Sequence, residues 1–153
     1  MYRSDYNEPC GVRLVRLINT KSLDIAKREV NNTDKMCLYG TGGYWTAFER
    51  SAYFLTRIFG NLELFIVNNP NYPFAIVGVS VPEKKLKQWM KTHFASRQDA
   101  DYMEFTVNEV DQQKFGKWHT KKVNDFFYIN SHPFLLIFCS LCFKIPSLTL
   151  VRL

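Results

Sequence analysis

Apolar positions along the chain fall into short runs and periodic stretches separated by polar turns. Val12 to Ile18 is apolar with Arg13 and Arg16 interposed, a pattern that predicts a strand. Ser22 caps a predicted short helix with Leu23, Ala26 and Val30 on one face, closed by Asn31-Asn32. Met36 to Tyr39 predicts a short buried strand running into Gly40-Thr41-Gly42-Gly43, whose glycines can take backbone angles closed to other residues. Trp45, Phe48, Ala52, Leu55 and Phe59 then recur at steps of 3 and 4, the buried face of a helix that Gly60 ends.

Two further strands are predicted at Leu62 to Val67 and Phe74 to Val81. The turn residues Asn68-Asn69-Pro70-Asn71-Tyr72-Pro73 between them imply antiparallel pairing. Pro82 suits the first turn of the next helix, whose apolar stripe is Leu86, Trp89, Met90, His93 and Phe94. Lys84, Lys87 and Lys91 form a ridge on another side of it, with Lys85 nearby. Ser96 to Asp101 is a polar loop, Tyr102 to Val107 alternates like a strand, and Glu109 to Val123 is helical despite Gly116. This order predicts an α+β domain, a mixed β-sheet with flanking helices, over residues 1–125.

Residues 126–153 form an apolar tail of a different character, without Gly, Ala, Asp or Glu. Phe126 to Phe143 is an uncharged stretch of 18 residues, at the lower edge of membrane-span length. Asn130-Ser131-His132-Pro133 interrupts it and leaves ten apolar residues before Lys144. A buried strand or hairpin, a membrane segment and a frameshifted end are the three readings of this tail. The default expectation is no membrane.

Composition narrows the class more than the function. A hydrophobic share of 46% with 22% charged residues belongs to a globular chain. Twenty Lys and Arg against 14 Asp and Glu give +6, which permits an anionic partner without requiring one. Four cysteines, Cys10, Cys37, Cys139 and Cys142, are too few for a disulfide scaffold, and Met1 to Gly11 has no apolar signal core. A cytoplasmic chain with reduced thiols is therefore expected.

The residues do not assemble a catalytic set. His93, His119 and His132 are scattered and show no metal-ligand spacing, and Cys139-Ser140-Leu141-Cys142 stands alone inside an apolar run. Glu49, Glu63, Glu104 and Glu109 are not paired for acid–base work. The glycine loop is neither GxGxxG nor a P-loop. A non-enzymatic chain with neither cofactor nor metal is expected. The remaining constellation is Gly42-Gly43 followed by Tyr44-Trp45, an aromatic pair at a glycine-freed corner where a ring can stack on a base or wedge between base steps. Arg50 and Arg57, seven apart, share a helical face for phosphates, and Lys84, Lys87 and Lys91 extend it. Tyr44 and Trp45 as plain core, and the lysines as a solvated face, are the structural alternatives.

Leu38-Tyr39-Gly40-Thr41-Gly42-Gly43-Tyr44-Trp45-Thr46-Ala47-Phe48-Glu49-Arg50-Ser51-Ala52 resembles the opening motif of the N-terminal, mismatch-recognition domain of MutS-type DNA mismatch-repair proteins. That motif has a strand, then Gly-Asp-Phe-Tyr-Glu and another Phe, then an acidic-Ala pair on a helix. Ala75 to Ser80 resembles the family's strand ending in Gly-Val-Pro, followed by a helix matching the one with Leu86 and Trp89 and by a strand at Tyr102 to Val107. The likeness spans about residues 34–107. It implies a stand-alone mixed α/β domain that touches a mismatch through the minor groove. By position Tyr44 would be the wedge, Trp45 its support and Thr46 a polar contact in place of the family's Glu, while Gly43 replaces Asp and Ser80 replaces Pro. This chain has no Walker A sequence to couple binding to ATP. The expected partner is duplex DNA, distorted or mispaired, with Gly42, Gly43, Tyr44, Trp45, Thr46, Arg50, Arg57, Lys84, Lys87 and Lys91 as the interface. The alternative is a protein-interaction or accessory module that keeps the fold without the DNA face.

Overall fold

A computed structural model of the protein describes residues 8–68, 74–131, 143–145 and 148–152. The first element overturns the strand expected at Val12 to Ile18: α1 is one helix from Cys10 to Val30. Leu14, Leu17, Ile18, Ser22, Ile25, Ala26 and Glu29 keep helical spacing, and that stripe packs on the sheet while Arg13 and Arg16 fall beside it. The expected face is also rotated, because Leu23 and Val30 are exposed.

Strand β1 (Lys35–Gly40) turns at residues 41–43 into β2 (Tyr44–Phe48), pairing Tyr39 with Thr46 and Gly40 with Trp45. The helix expected from Trp45 is thus a strand up to Phe48, and α2 occupies Glu49–Phe59 only. The periodic series fails at its start because Trp45 and Phe48 face opposite sides of the sheet, each in a different core cluster. Glu49 makes the switch with a φ of 49°, a left-handed angle uncommon for a residue other than glycine. Its carboxylate accepts from the Val77 amide at 2.7 Å and lies 3.1 Å from His119 Nε2.

Strands β3 (Leu64–Asn68) and β4 (Ile76–Pro82) pair antiparallel, as the turn chemistry implied. Pro82 ends β4 and caps α3 (Glu83–Trp89), which is shorter than its expected stripe: His93 and Phe94 lie beyond it and are exposed. A two-residue strand β5 (Arg97–Gln98) interrupts the polar loop and pairs with β6 (Tyr102–Thr106). Helix α4 spans Gln112–Ser131. It crosses Asp125, and Phe126 is core, so the expected domain boundary falls inside a helix. Strands β7 (Phe143–Ile145) and β8 (Leu148–Arg152) form a hairpin that adds to β3. Among the described residues no helix is long and apolar enough to cross a membrane; residues 132–142, with most of the uncharged stretch and the CxxC, lie outside the described residues.

The class is α+β, with all helices on one sheet of order β5-β6-β1-β2-β4-β3-β8-β7. Every pairing among the described residues is antiparallel, so the sheet is not mixed as expected. Alternate residues feed two cores: Met36, Leu38, Ala47, Ile66, Val77 and Phe105 under α2 and α3, and Tyr39, Phe48, Phe65, Val67 and Ile76 under α1. Gly78 lies opposite both Phe48 and Phe65, and a Cβ there would collide with the Phe65 ring.

A buried polar knot joins α1 to α2. Glu29, 2% exposed, accepts from the Ser51 amide at 3.0 Å and the Ser51 hydroxyl at 2.8 Å, and Asn32 Nδ2 lies 3.2 Å from it. The Cys37 amide donates to the same Ser51 hydroxyl at 2.9 Å. Burial pushes the Glu29 carboxyl up to about 7 against these bonds, which favour its charged form.

Candidate nucleic-acid interface

Tyr44 sits where three elements meet, and backbone bonds hold them together. The Thr41 amide donates to the Tyr44 carbonyl at 2.9 Å, closing the turn, and Gly42 takes a φ of 89°. A Cβ at Gly42 would stand 3.1 Å from Cys10 Sγ and 3.5 Å from Arg13 Cδ, so a glycine there lets the first turn of α1 approach. Gly43 then clamps both sides: its amide donates to Cys10 Sγ at 3.3 Å and its carbonyl accepts from the Glu83 amide at 2.9 Å. The starts of α1 and α3 are thereby fixed beside Tyr44, itself paired with Pro82.

Of the three motif residues only Tyr44 reaches solvent, at 39% exposed. Trp45 packs in the core under α3, consistent with a supporting position and closed to direct contact. Thr46 is 0% exposed and lies 3.2 Å from Thr41 Oγ1 and 2.8 Å from Ser80 Oγ, so the expected polar contact to DNA is corrected: its hydroxyl is engaged inside the sheet. The reason is strand alternation combined with cover by α1, which seals the face that Thr46 shares with Phe48.

The phosphate candidates divide. Lys84, Lys87 and Lys91 are exposed and line one shallow depression on α3 and the turn after it, with Lys87 paired to Glu83 at 2.8 Å. Lys84 is two residues beyond Pro82, the strand partner of Tyr44. Arg50 is not part of this surface. It lies past the opposite end of β2, about 15 Å of strand away. Its guanidinium donates to the Asn32 carbonyl at 2.8 Å and to Gln112 Oε1 at 3.0 Å, and stacks over Phe115. Arg57 is exposed, over the Tyr53 ring, and lines a separate groove with Trp89, His93 and Phe94. Their shared helical spacing put two arginines on one helix but not on one interface.

Lys85, noted in the sequence only as a neighbour of the lysine ridge, lines the Tyr44 corner, and Arg13, not singled out there, lies against Gly42. Glu8 pairs with Arg16 at 2.9 Å and with Arg13 at 4.0 Å, and Lys85 donates to the Phe59 carbonyl at 3.4 Å while its ammonium stands over the Phe59 ring. The signal for the arginines was present in the sequence, in the helical spacing of Leu14, Leu17 and Ile18 that a strand reading of Val12 to Ile18 conceals.

Beside Tyr44 opens a cleft of about 450 Å³, lined among others by Leu14, Asn61, Leu62, Ser80, Pro82 and Lys85. No group of three or more His, Cys, Asp or Glu able to hold a metal ion occurs among the described residues. His119 is held by Glu49, whose hydrogen bond raises its pKa, at the opposite end of β2 from Tyr44. No protein-family model matches the chain, and no curated protein or solved structure matches it.

Proposed function

We propose that this chain is a non-enzymatic DNA-binding module that engages distorted or mispaired duplexes through Tyr44, acting in the cytoplasm as a relative of the MutS N-terminal domain. The observation that carries the reading is the corner itself: a half-exposed aromatic ring on a glycine turn that joins the starts of α1 and α3, with the exposed Lys84 and Lys85 in the first turn of α3. An exposed ring stacks on any base face, and flanking cations supply sequence-independent attraction to phosphates. The order of β1, glycine turn, β2, α2, then β4, α3 and β6 agrees with the order of the family's motifs. With Thr46 buried, recognition rests on stacking and on the deformability of the DNA rather than on an acidic reader.

Fluorescence anisotropy of labelled matched and mismatched duplexes at two salt concentrations tests this. Preference for the mismatch, weakened by about 1–3 kcal/mol in Tyr44→Ala, supports it. Equal affinity of wild type and Tyr44→Ala sinks the wedge.

A second reading, a protein-interaction or accessory module, is favoured by a different observation. Phe94 is 88% exposed beside a groove that holds the stacked Trp89 and His93 rings and Phe105. Recovery of a defined protein partner that survives nuclease treatment and is lost in Phe94→Ser would favour this reading over the first.

A further inference from the structure

We infer that the cleft beside Tyr44 accepts one unstacked nucleobase from the DNA, so that the protein holds an extrahelical nucleotide rather than only wedging between stacked pairs. The inference rests on the DNA-binding reading and goes beyond it. The cleft volume of about 450 Å³ lies within the roughly 300–1,000 Å³ of ordinary ligand sites. Its walls combine what a base requires. Leu14, Leu62 and Pro82 offer apolar surface, and the Tyr44 ring stands at the same opening. Asn61 brings a carboxamide, which both donates and accepts, as the edge of any base does. The Ser80 hydroxyl adds a second polar group, positioned by Thr46.

Charge argues for a base rather than an anion inside. Glu63 and Lys85 both line the cleft, so its two charges offset one another and suit a neutral occupant better than an anion, whereas the exposed Lys84 and Lys87 of α3 suit a phosphate left outside. A neutral planar heterocycle joined to a backbone that stays on the basic rim satisfies both. A base that is already extrahelical has little stacking left to lose, which makes it the natural occupant.

The test compares three labelled duplexes of one sequence: fully paired, with a single bulged adenosine, and with the same bulge made abasic. The wild-type chain, Asn61→Ala and Gly11→Trp are titrated with each. A Cβ at Gly11 meets nothing within 4 Å, and Gly11 lines the cleft, so a side chain can be added there to narrow it, with circular dichroism and urea unfolding of the variant as the check that the fold is kept. The expected result is roughly tenfold tighter binding of the bulged adenosine than of the abasic bulge, the order of one stacked base. That ratio falls toward one in Asn61→Ala and Gly11→Trp, while salt-dependent binding of the paired duplex persists. Equal affinity for both bulges in the wild type overturns the pocket and leaves the DNA-binding reading standing. Absence of salt-dependent binding to any duplex overturns both. Saturable binding of deoxyadenosine monophosphate as tight as the bulged duplex assigns the cleft to a free nucleotide and overturns the extrahelical base.

Discussion

Replacing Glu29 by glutamine isolates the energetic consequence of a carboxyl group buried in the knot between α1 and α2. Its proton affinity rises from an ordinary 4.5 to about 7, chiefly through burial. Folding therefore favours the protonated form. The sign follows: this group's stabilisation is complete below pH 4.5, where folded and unfolded chains both hold the proton, and is lost as pH rises through about 7. At roughly 1.4 kcal/mol per pH unit of difference the loss is about 3 kcal/mol, a large part of a typical domain's stability. The carboxamide of Glu29→Gln cannot ionise, yet its carbonyl still accepts from the Ser51 amide and its NH2 can donate to the Ser51 hydroxyl. Urea unfolding of both proteins from pH 4.5 to 8 measures the difference. The variant and wild type should lie within about 1 kcal/mol at the acid end, and the variant should gain about 3 kcal/mol on the wild type by pH 8. His119 and the carboxylates of Glu104 and Asp111 titrate in both proteins and drop out of the comparison. Two parallel stability curves would refute the reasoning, since they would mean that Glu29 ionises in the fold as it does in water.

Further expectations concern the sheet, the β2–α2 junction and the basic corner. Gly78→Ala should destabilise the fold by about 1–3 kcal/mol in urea unfolding, because the new methyl enters the space of a Phe65 ring pinned against Phe48. The His119 imidazole should titrate above 6.5 by NMR and return toward it in Glu49→Gln, and its contribution to stability should be present below 6.5 and fade as pH rises through the raised value. Lys84→Ala should flatten the salt dependence of DNA binding by about one phosphate contact, whereas Arg50→Ala should leave that slope unchanged, its guanidinium being engaged by Asn32 and Gln112.

Local chemistry in the chain was enough for the α+β class, for β1, for the β3–β4 hairpin with its turn residues, and for the strand at Tyr102. Each of these has its signal within about ten residues, and each leads to an element whose neighbour in sequence is also its neighbour in space. It was also enough to single out Tyr44, because a glycine pair before an aromatic pair marks a corner in any fold. The elements that went astray needed information from elsewhere. Val12 to Ile18 satisfies both periods, and the sheet face awaiting Leu14, Leu17 and Ile18 selects the helix. Trp45 and Phe48 fit a helical stripe until β4 offers backbone partners from Gly78 to Val81, and pairing with them turns the two side chains to opposite faces. The candidate site followed the same logic. Which of Tyr44, Trp45 and Thr46 meets solvent depends on what covers each face of β2, and which cations stand near Tyr44 depends on where α1 and α3 begin. Sequence spacing measures distance along the chain, whereas a surface is made by tertiary packing, and here packing sets Lys85 beside Tyr44 and carries Arg50 and Arg57 away from it.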